Sequence, residues 1–160
     1  MSDSELLLPP GDTPLCWRDV EIPRPDLGDE LRFQAQHEAW ARNRLEATKA
    51  LVGPAAYQAD LAALGEARDS NEFAFGGRRS VRFVLSPAGL ARYIELLAGK
   101  GKGRRPKAEE LEQLARSDRA AWGELLDLVV SRDFPWLVEE SPASGGPATP
   151  APSTSASSSS

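Results

Sequence analysis

Residues 71–107 read NEFAFGGRRSVRFVLSPAGLARYIELLAGKGKGRRPK, and the middle of this stretch predicts an α-helix. Ser86 suits the N-cap, because its hydroxyl can accept a hydrogen bond from an unpaired backbone N–H of the first turn. Pro87 suits the first helical position, where its missing N–H removes no hydrogen bond. Gly99 suits the left-handed position that ends many helices. The apolar residues between them recur on one helical face: Leu90, Tyr93, Ile94, Leu97 and Ala98.

The segment before this helix, residues 73–85, fits two local structures. Its apolar residues alternate on both sides of Gly76-Gly77, as they do in a β-hairpin. Val81, Val84 and Leu85 fit one face of a short helix equally well. We favour the short helix, because an isolated hairpin is marginal in water and no other strand is evident in the chain.

Further helices are predicted on both sides of this segment. One begins near residues 27–31, with Asp26 or Asp29 as its cap, and extends to about Leu51. Pro54 begins another, because it follows Gly53 and suits a first helical position. A last long helix is predicted from Pro106 to Arg132, with acidic residues in its first turn. Its apolar face comprises Leu111, Leu114, Ala115, Trp122, Leu125, Leu126 and Val129.

These elements predict an all-α fold, a small bundle of four to five helices over residues 31–138. Residues 1–30 are acidic and contain several prolines, which excludes a long helix and predicts an extended arm. In this arm, Trp17 is large enough to anchor the chain on the domain. Residues 139–160 consist mainly of Ser, Pro and Ala, a composition that predicts a disordered tail.

Charge is distributed unevenly along the chain. Residues 1–30 carry eight acids and two bases, whereas residues 76–107 carry nine bases and a single acid. Five of these bases lie in the loop after the central helix, here called the basic loop: Lys100, Lys102, Arg104, Arg105 and Lys107. The basic block 76–107 has the charge to attract nucleic acid or an acidic protein segment. Neutralisation of the acidic segments within the same domain is the interpretation that we favour.

The sequence also indicates the cellular compartment of the protein. Cys16 is the only cysteine, so no intramolecular disulfide is expected. The N-terminus lacks the basic region and apolar core of a signal peptide, and no apolar run is long enough to cross a membrane. A soluble cytoplasmic protein without membrane association is expected.

No residue constellation predicts an enzyme, a metal site or a cofactor. His37 is the only histidine, which excludes the usual zinc-binding spacings, and we expect it on the helix surface. The adjacent carboxylates Glu109 and Glu110 belong to a helix start, where they suit the helix dipole. The glycines of residues 76–79 and 99–105 do not match a phosphate-binding loop. A non-enzymatic protein is therefore expected.

Two strings resemble small helical proteins from the structural regions of tailed phages and prophages. EFAFGGRRSVRFVLSPAGLARYIELLAG resembles their Phe-Gly turn, short apolar element and Leu-rich helix. WGELLDLVVSRDFPWLVEE resembles their closing element, in which a helix leads into a Phe-Pro pair. The resemblance covers roughly residues 54–137. Such proteins are generally described as tail assembly chaperones, or as uncharacterised proteins of the virion region.

The resemblance implies a helper that binds a tape-measure-like helix during tail assembly, in the host cytoplasm if the protein is phage-encoded. Two apolar faces are candidates for the partner-binding surface: Leu90, Tyr93, Ile94 and Leu97 on the central helix, and Trp122 and Leu125 on the last one. The alternative is that both faces pack in the core of the domain. A second hypothesis for function is a minor virion or DNA-associated protein that uses the basic block 76–107.

Overall fold

The structure, a computed structural model, describes residues 14–139. These residues form one two-stranded hairpin and eight helices. The strands are β1 (Leu15–Trp17) and β2 (Val20–Ile22). The helices are α1 (Leu27–Ala47), α2 (Lys49–Val52), α3 (Pro54–Asp69), α4 (Arg78–Val84), α5 (Pro87–Ala98), α6 (Ala108–Ser117), α7 (Arg119–Asp133) and α8 (Pro135–Glu139). The predicted helical class is confirmed, but the predicted count of four to five helices is too low.

Two of the extra helices arise where a single residue interrupts a predicted one, and the third, α8, begins at Pro135 beyond the predicted end of the last helix. Asp118 has φ −144° and ψ 84°, so it leaves the helical conformation, and its carboxylate accepts a hydrogen bond from the backbone N–H of Ala121 at 3.1 Å. The predicted last helix is therefore divided into α6 and α7, because Asp118 caps a new helix start. Thr48 likewise separates α1 from α2, although a single helix is predicted from about residue 27 to about Leu51.

The central helix α5 has the predicted bounds. The Ser86 hydroxyl accepts a hydrogen bond from the backbone N–H of Gly89 at 3.1 Å, and Pro87 is the first helical residue. The prediction for Gly99 is wrong, since its φ of −61° is right-handed. The next residues continue in tight turns, with the N–H of Gly101 bonded to the carbonyl oxygen of Ala98, so no left-handed residue is needed at the helix end.

The core surrounds α5, which packs against α1, α4, α6 and β2. Several aromatic rings lie on one side of this helix. Phe33 contacts Tyr93 edge-on at a centroid distance of 5.0 Å, and it stacks on Phe83 at 5.7 Å. Phe134 is buried next to Tyr93, whereas Trp136 in α8 remains partly exposed. A single continuous core therefore joins elements from both ends of the described chain.

The described part of the N-terminal arm belongs to this core. Leu15 pairs with Ile22 and Trp17 with Val20 in an antiparallel register. Trp17, Val20 and Ile22 are buried in the main apolar cluster. The prediction that the chain has no strand outside residues 73–85 is therefore wrong. Helix α1 also begins inside the predicted arm, with Asp26 and Asp29 forming a reciprocal capping box.

Residues 78–84 form the short helix α4, so the interpretation that we favoured for residues 73–85 is confirmed and the hairpin alternative is wrong. Gly76 has φ +86°, a conformation that suits glycine, and it turns the chain into this helix. The predictions for residues 1–13 and 140–160 lie outside the described residues.

One part of the described chain lies mostly outside the core and touches it through Trp40, whose ring packs against Phe83. Residues 38–66, here called the helical arm, comprise the second half of α1, all of α2 and most of α3. Tyr57 is the one buried residue in this range. Helix α3 packs mainly against α1 and α2, whereas α1 also packs against α4 and α5 of the core.

Candidate functional site: the helical arm

The structure places the six residues predicted for partner binding in the core. Four are on α5 (Leu90, Tyr93, Ile94 and Leu97) and two are on α7 (Trp122 and Leu125). All six are buried, and the most exposed of them, Trp122, has only 8% of its surface accessible. The folded domain therefore does not present these faces to a partner, and packing within the core accounts for both of them.

The basic loop lies against acidic residues of the same chain. The ammonium of Lys100 forms ion pairs with Asp29 and, at 3.5 Å, with Asp26. The guanidinium of Arg104 lies 3.1 Å from the Asp19 carboxylate and 2.5 Å from that of Glu110. Hydrogen bonds to these two carboxylates, first that of Glu110, raise the pKa of Arg104.

The other bases of the loop make fewer contacts with acids. The backbone N–H of Lys102 donates to the Glu21 carboxylate at 2.7 Å, while its ammonium has no ion pair with a described residue. Arg105 donates to the carbonyl oxygen of Gly101, and Lys107 precedes α6. Lys102, Arg105 and Lys107 thus remain available at the surface of the described domain.

Two glycines explain how the basic loop approaches the hairpin so closely. A Cβ on Gly103 would overlap the carbonyl oxygen of Asp19, and one on Gly101 would overlap that of Glu21. The N–H of Arg104 also donates to the carbonyl oxygen of Asp19 at 2.8 Å. The alternating glycines in GKGKG therefore allow backbone contact with the hairpin. Their role in this structure is packing against the hairpin.

The helical arm carries a groove between its two long helices. This groove, here called the arm groove, encloses about 450 Å³ between α1 and α3, with α4 at one end. Its lining comprises Trp40, Ala41, Arg44, Leu45, Thr48, Asp60, Ala63, Leu64 and Arg79. The apolar floor is only partly buried, since Trp40, Leu45 and Leu64 retain intermediate exposure.

The rim of the arm groove carries charges of both signs. Arg44 lies on α1, exposed, with its guanidinium carbon 5.2 Å from the centre of the Trp40 ring. Asp60 lies on α3 and is also exposed, and it forms no ion pair with any residue in the range 14–139. Arg79 is held by Glu72 at 3.1 Å. The groove therefore has an unpaired base on one helix and an unpaired acid on the other.

The chain's only histidine lies one turn before the groove residue Ala41. The prediction that His37 is a surface residue is wrong, because only 5% of its surface is accessible. Its ring stacks on that of Phe83 at 4.1 Å and meets the ring of Phe73 edge-on at 4.7 Å. Its Nδ1 has no hydrogen-bond partner among the described residues. Burial, together with the nearby Arg79, lowers the pKa of His37 to about 4.

The tip of the arm presents apolar side chains to solvent. Leu51 has 84% of its surface accessible and the adjacent Val52 is also exposed. A cleft of about 490 Å³ lies beside them, lined by Glu46, Ala47, Lys49, Ala50, Gly53 and Pro54. Tyr57 stabilises this end of the arm, because its hydroxyl donates to the Glu46 carboxylate and Lys49 lies over its ring.

Sequence reasoning missed the arm as a candidate site, although one signal was present. The predicted helix 27–51 alternates apolar residues such as Trp40 and Leu45 with Arg42 and Arg44, a pattern typical of a helix that is only partly buried. The site itself depends on α1 pairing with α3, which no local pattern specifies. The spacing of Phe33 and His37, four residues apart, was the available signal that His37 faces the core.

No helix in the described range is both long and apolar enough to cross a membrane. Within residues 14–139, no cluster of three or more His, Cys, Asp or Glu side chains is arranged to hold a metal ion. Comparison with known proteins finds no matching family model, no matching curated protein and no matching solved structure.

Proposed function

We propose that the protein is a non-enzymatic assembly helper of the tail assembly chaperone kind, which binds a tape-measure-like helical partner through its helical arm. The observation that carries this proposal is the apolar tip, where Leu51 and Val52 are exposed next to the cleft formed by Ala47, Ala50 and Pro54. Neighbouring exposed apolar side chains of this kind are typical of protein-binding surfaces. Recognition of an amphipathic helix requires such a surface, and no catalytic group is needed.

The arrangement of the arm supports the same role. Helices α1 and α3 hold the tip away from the core, so a partner can reach Leu51 and Val52 without unfolding the domain. Lys49 and Glu46 border the tip cleft and supply polar contacts at its rim. An apolar centre with a polar rim is the usual anatomy of a protein interface.

The second hypothesis, a DNA-associated protein, has less support. Lys100 and Arg104 are already paired with acids of the hairpin, α1 and α6. Acidic residues near the basic loop weaken the attraction to phosphates. In addition, no aromatic side chain alternates with the bases of the loop, as base stacking would require.

Co-expression with a tape-measure-like protein encoded next to the gene tests the proposal. We expect the wild-type protein to raise the soluble fraction of that partner and to co-purify with it. The double variant Leu51→Asp and Val52→Asp should lose both effects while keeping its helical circular dichroism. Leu85→Asp is a matched control, because Leu85 is another exposed apolar residue, with 44% of its surface accessible, outside the arm. Equal loss with the control, or no loss with the tip variant, would contradict the proposal.

A further inference from the structure

The arm groove is an open helix–helix surface that the domain itself leaves uncovered. Two antiparallel helices such as α1 and α3 bury one face against each other and leave a second face unpartnered. Leu45 and Leu64 lie on that second face and are only partly buried, and Trp40 borders it with its ring packed against Phe83. A second helical pair laid on this surface would complete a four-helix arrangement and bury these side chains.

The positions of Arg44 and Asp60 on the two sides of the groove indicate which charges a partner must carry. The hydroxyl of Tyr57 donates to Glu46, which sets these two residues side by side on α3 and α1. Arg44 lies two residues from Glu46 and Asp60 three residues from Tyr57, both toward the core. At about 1.5 Å per residue, the two charged side chains stand at nearly the same height on opposite sides of the groove.

We propose that a second copy of this chain covers the arm groove and forms a two-fold symmetric dimer. A two-fold axis parallel to the arm places α1 of each copy over α3 of the other. Arg44 of one copy then faces Asp60 of the other, and the same contact occurs twice, as an isologous interface requires. The apolar side chains Trp40, Leu45 and Leu64 are enclosed between the two ion pairs.

A foreign helix matches this surface only if it carries both an acid and a base at the corresponding positions. A partner with an acid at the centre satisfies Arg44 but leaves Asp60 without a counter-charge, and a partner with a base has the opposite defect. The second copy brings both charges in the required positions. The proposal does not depend on the proposed function, because the tip residues Leu51 and Val52 lie outside the groove lining.

Sedimentation velocity of the full chain, together with charge reversal, tests the dimer. We expect the wild-type protein to sediment as a dimer and to dissociate on dilution. Arg44→Asp and Asp60→Arg should each weaken the dimer by at least about tenfold in Kd, because each variant sets two pairs of like charges against each other. Both residues are exposed, so circular dichroism should show that each variant folds.

An equimolar mixture of the two single variants gives the sharpest test. In a mixed dimer, each reversed residue meets an opposite charge, so dimers should reappear, and the double variant should dimerise alone. The control is Lys49→Gln, because Lys49 lies at the tip and outside the groove, and it should leave the dimer unchanged. A wild-type protein that is monomeric at every concentration, single variants that dimerise as tightly as the wild type, or a mixture that dimerises no better than the single variants would each overturn the proposal. None of these outcomes alters the co-expression result expected for the tip variant.

Discussion

The hydroxyl of Tyr93 donates a hydrogen bond to the Asp133 carboxylate, with 2.7 Å between the two oxygens, inside the core. The same carboxylate accepts from the Nε of Arg132 at 2.8 Å. Arg132 also donates to the backbone carbonyl oxygens of Ile22 and Pro23. Burial, followed by the charge of Asp133, raises the pKa of Tyr93, so the phenol stays a donor. This network connects α5, α7 and the end of the hairpin.

Replacing Tyr93 with Phe removes one donor from this network. We expect Tyr93→Phe to lower the free energy of unfolding by about 1.5–3 kcal/mol, the range for a hydrogen bond to a charged group. Urea denaturation followed by circular dichroism measures the change. Tyr57→Phe is the control, because its acceptor Glu46 is exposed, and a loss of about 1 kcal/mol or less is expected. Equal losses in the two variants would show that the buried hydrogen bond contributes no more to the free energy of unfolding than the one between Tyr57 and Glu46.

Truncation of Leu97 tests the position of α5 at the centre of the core. Leu97 is fully buried, so Leu97→Ala should destabilise the domain by about 2–5 kcal/mol. Leu51→Ala removes the same atoms from an exposed position and should change the free energy of unfolding by no more than about 0.5 kcal/mol. Chemical denaturation of both variants makes the comparison. If Leu97→Ala is as stable as Leu51→Ala, the assignment of α5 to the core is wrong.

The central helix could be predicted because its signals are local. Ser86 and Pro87 mark its start, and its apolar spacing identifies the buried face before any tertiary contact is known. Asp118 was harder to recognise as a break, because it lies between apolar residues that continue the helical period. The propensity of a single Asp is too weak to decide between a helix interior and an N-cap.

The hairpin and the arm groove depend on contacts that are distant in sequence. Trp17 was predicted to anchor the N-terminal arm, yet the pairing of Leu15 with Ile22 is stabilised by packing against α5 and α7. Likewise, Arg44 and Asp60 share a groove only because α1 folds back against α3. Periodicity identifies the face of each helix but not the helix that it meets.

The close approach of the basic loop to the hairpin can be tested at Gly103. Since a Cβ at this position overlaps the carbonyl oxygen of Asp19, Gly103→Ala should displace the hairpin and lower the free energy of unfolding by about 1–3 kcal/mol. Gly123→Ala is the matched control in α7, where no atom outside its own helix backbone lies within 4 Å of the new Cβ. This control should be neutral or stabilising by up to about 1 kcal/mol. Thermal and urea denaturation distinguish the two, and a neutral Gly103→Ala would contradict the packing role.

His37 should make stability depend on pH. Its folded-state pKa of about 4 is below the ordinary value of 6.5, so the unfolded chain binds the proton first as the pH falls. The domain should therefore keep its full stability above about pH 6.5 and lose up to about 3 kcal/mol between pH 6.5 and pH 4. Urea denaturation across this range measures the loss. His37→Phe removes the titrating group and keeps an aromatic ring beside Phe83, so its stability should fall less over the same interval. Parallel pH profiles for the two proteins would assign the loss to other groups.

The basic loop should bind duplex DNA weakly. Lys100 and Arg104 are engaged by acids, which leaves three bases to contact phosphates: Lys102, Arg105 and Lys107. Three phosphate contacts are therefore the upper limit, and the slope of the logarithm of the binding constant against the logarithm of salt concentration should be no steeper than about −2.7. Fluorescence anisotropy with a labelled duplex should therefore show only weak, non-specific association at about 150 mM salt.

Substitution of these three bases decides between charge balance and DNA binding. We expect the variant with all three bases changed to Gln to bind DNA about as weakly as a control variant. In the control, three exposed bases elsewhere are changed to Gln: Arg42, Arg116 and Arg119. Both variants lose the same formal charge, so a difference between them reports the loop and not the net charge of the protein. Submicromolar binding at about 150 mM salt that disappears in the loop variant but persists in the control would contradict the prediction. That result would favour DNA association through the basic block over partner binding by the helical arm.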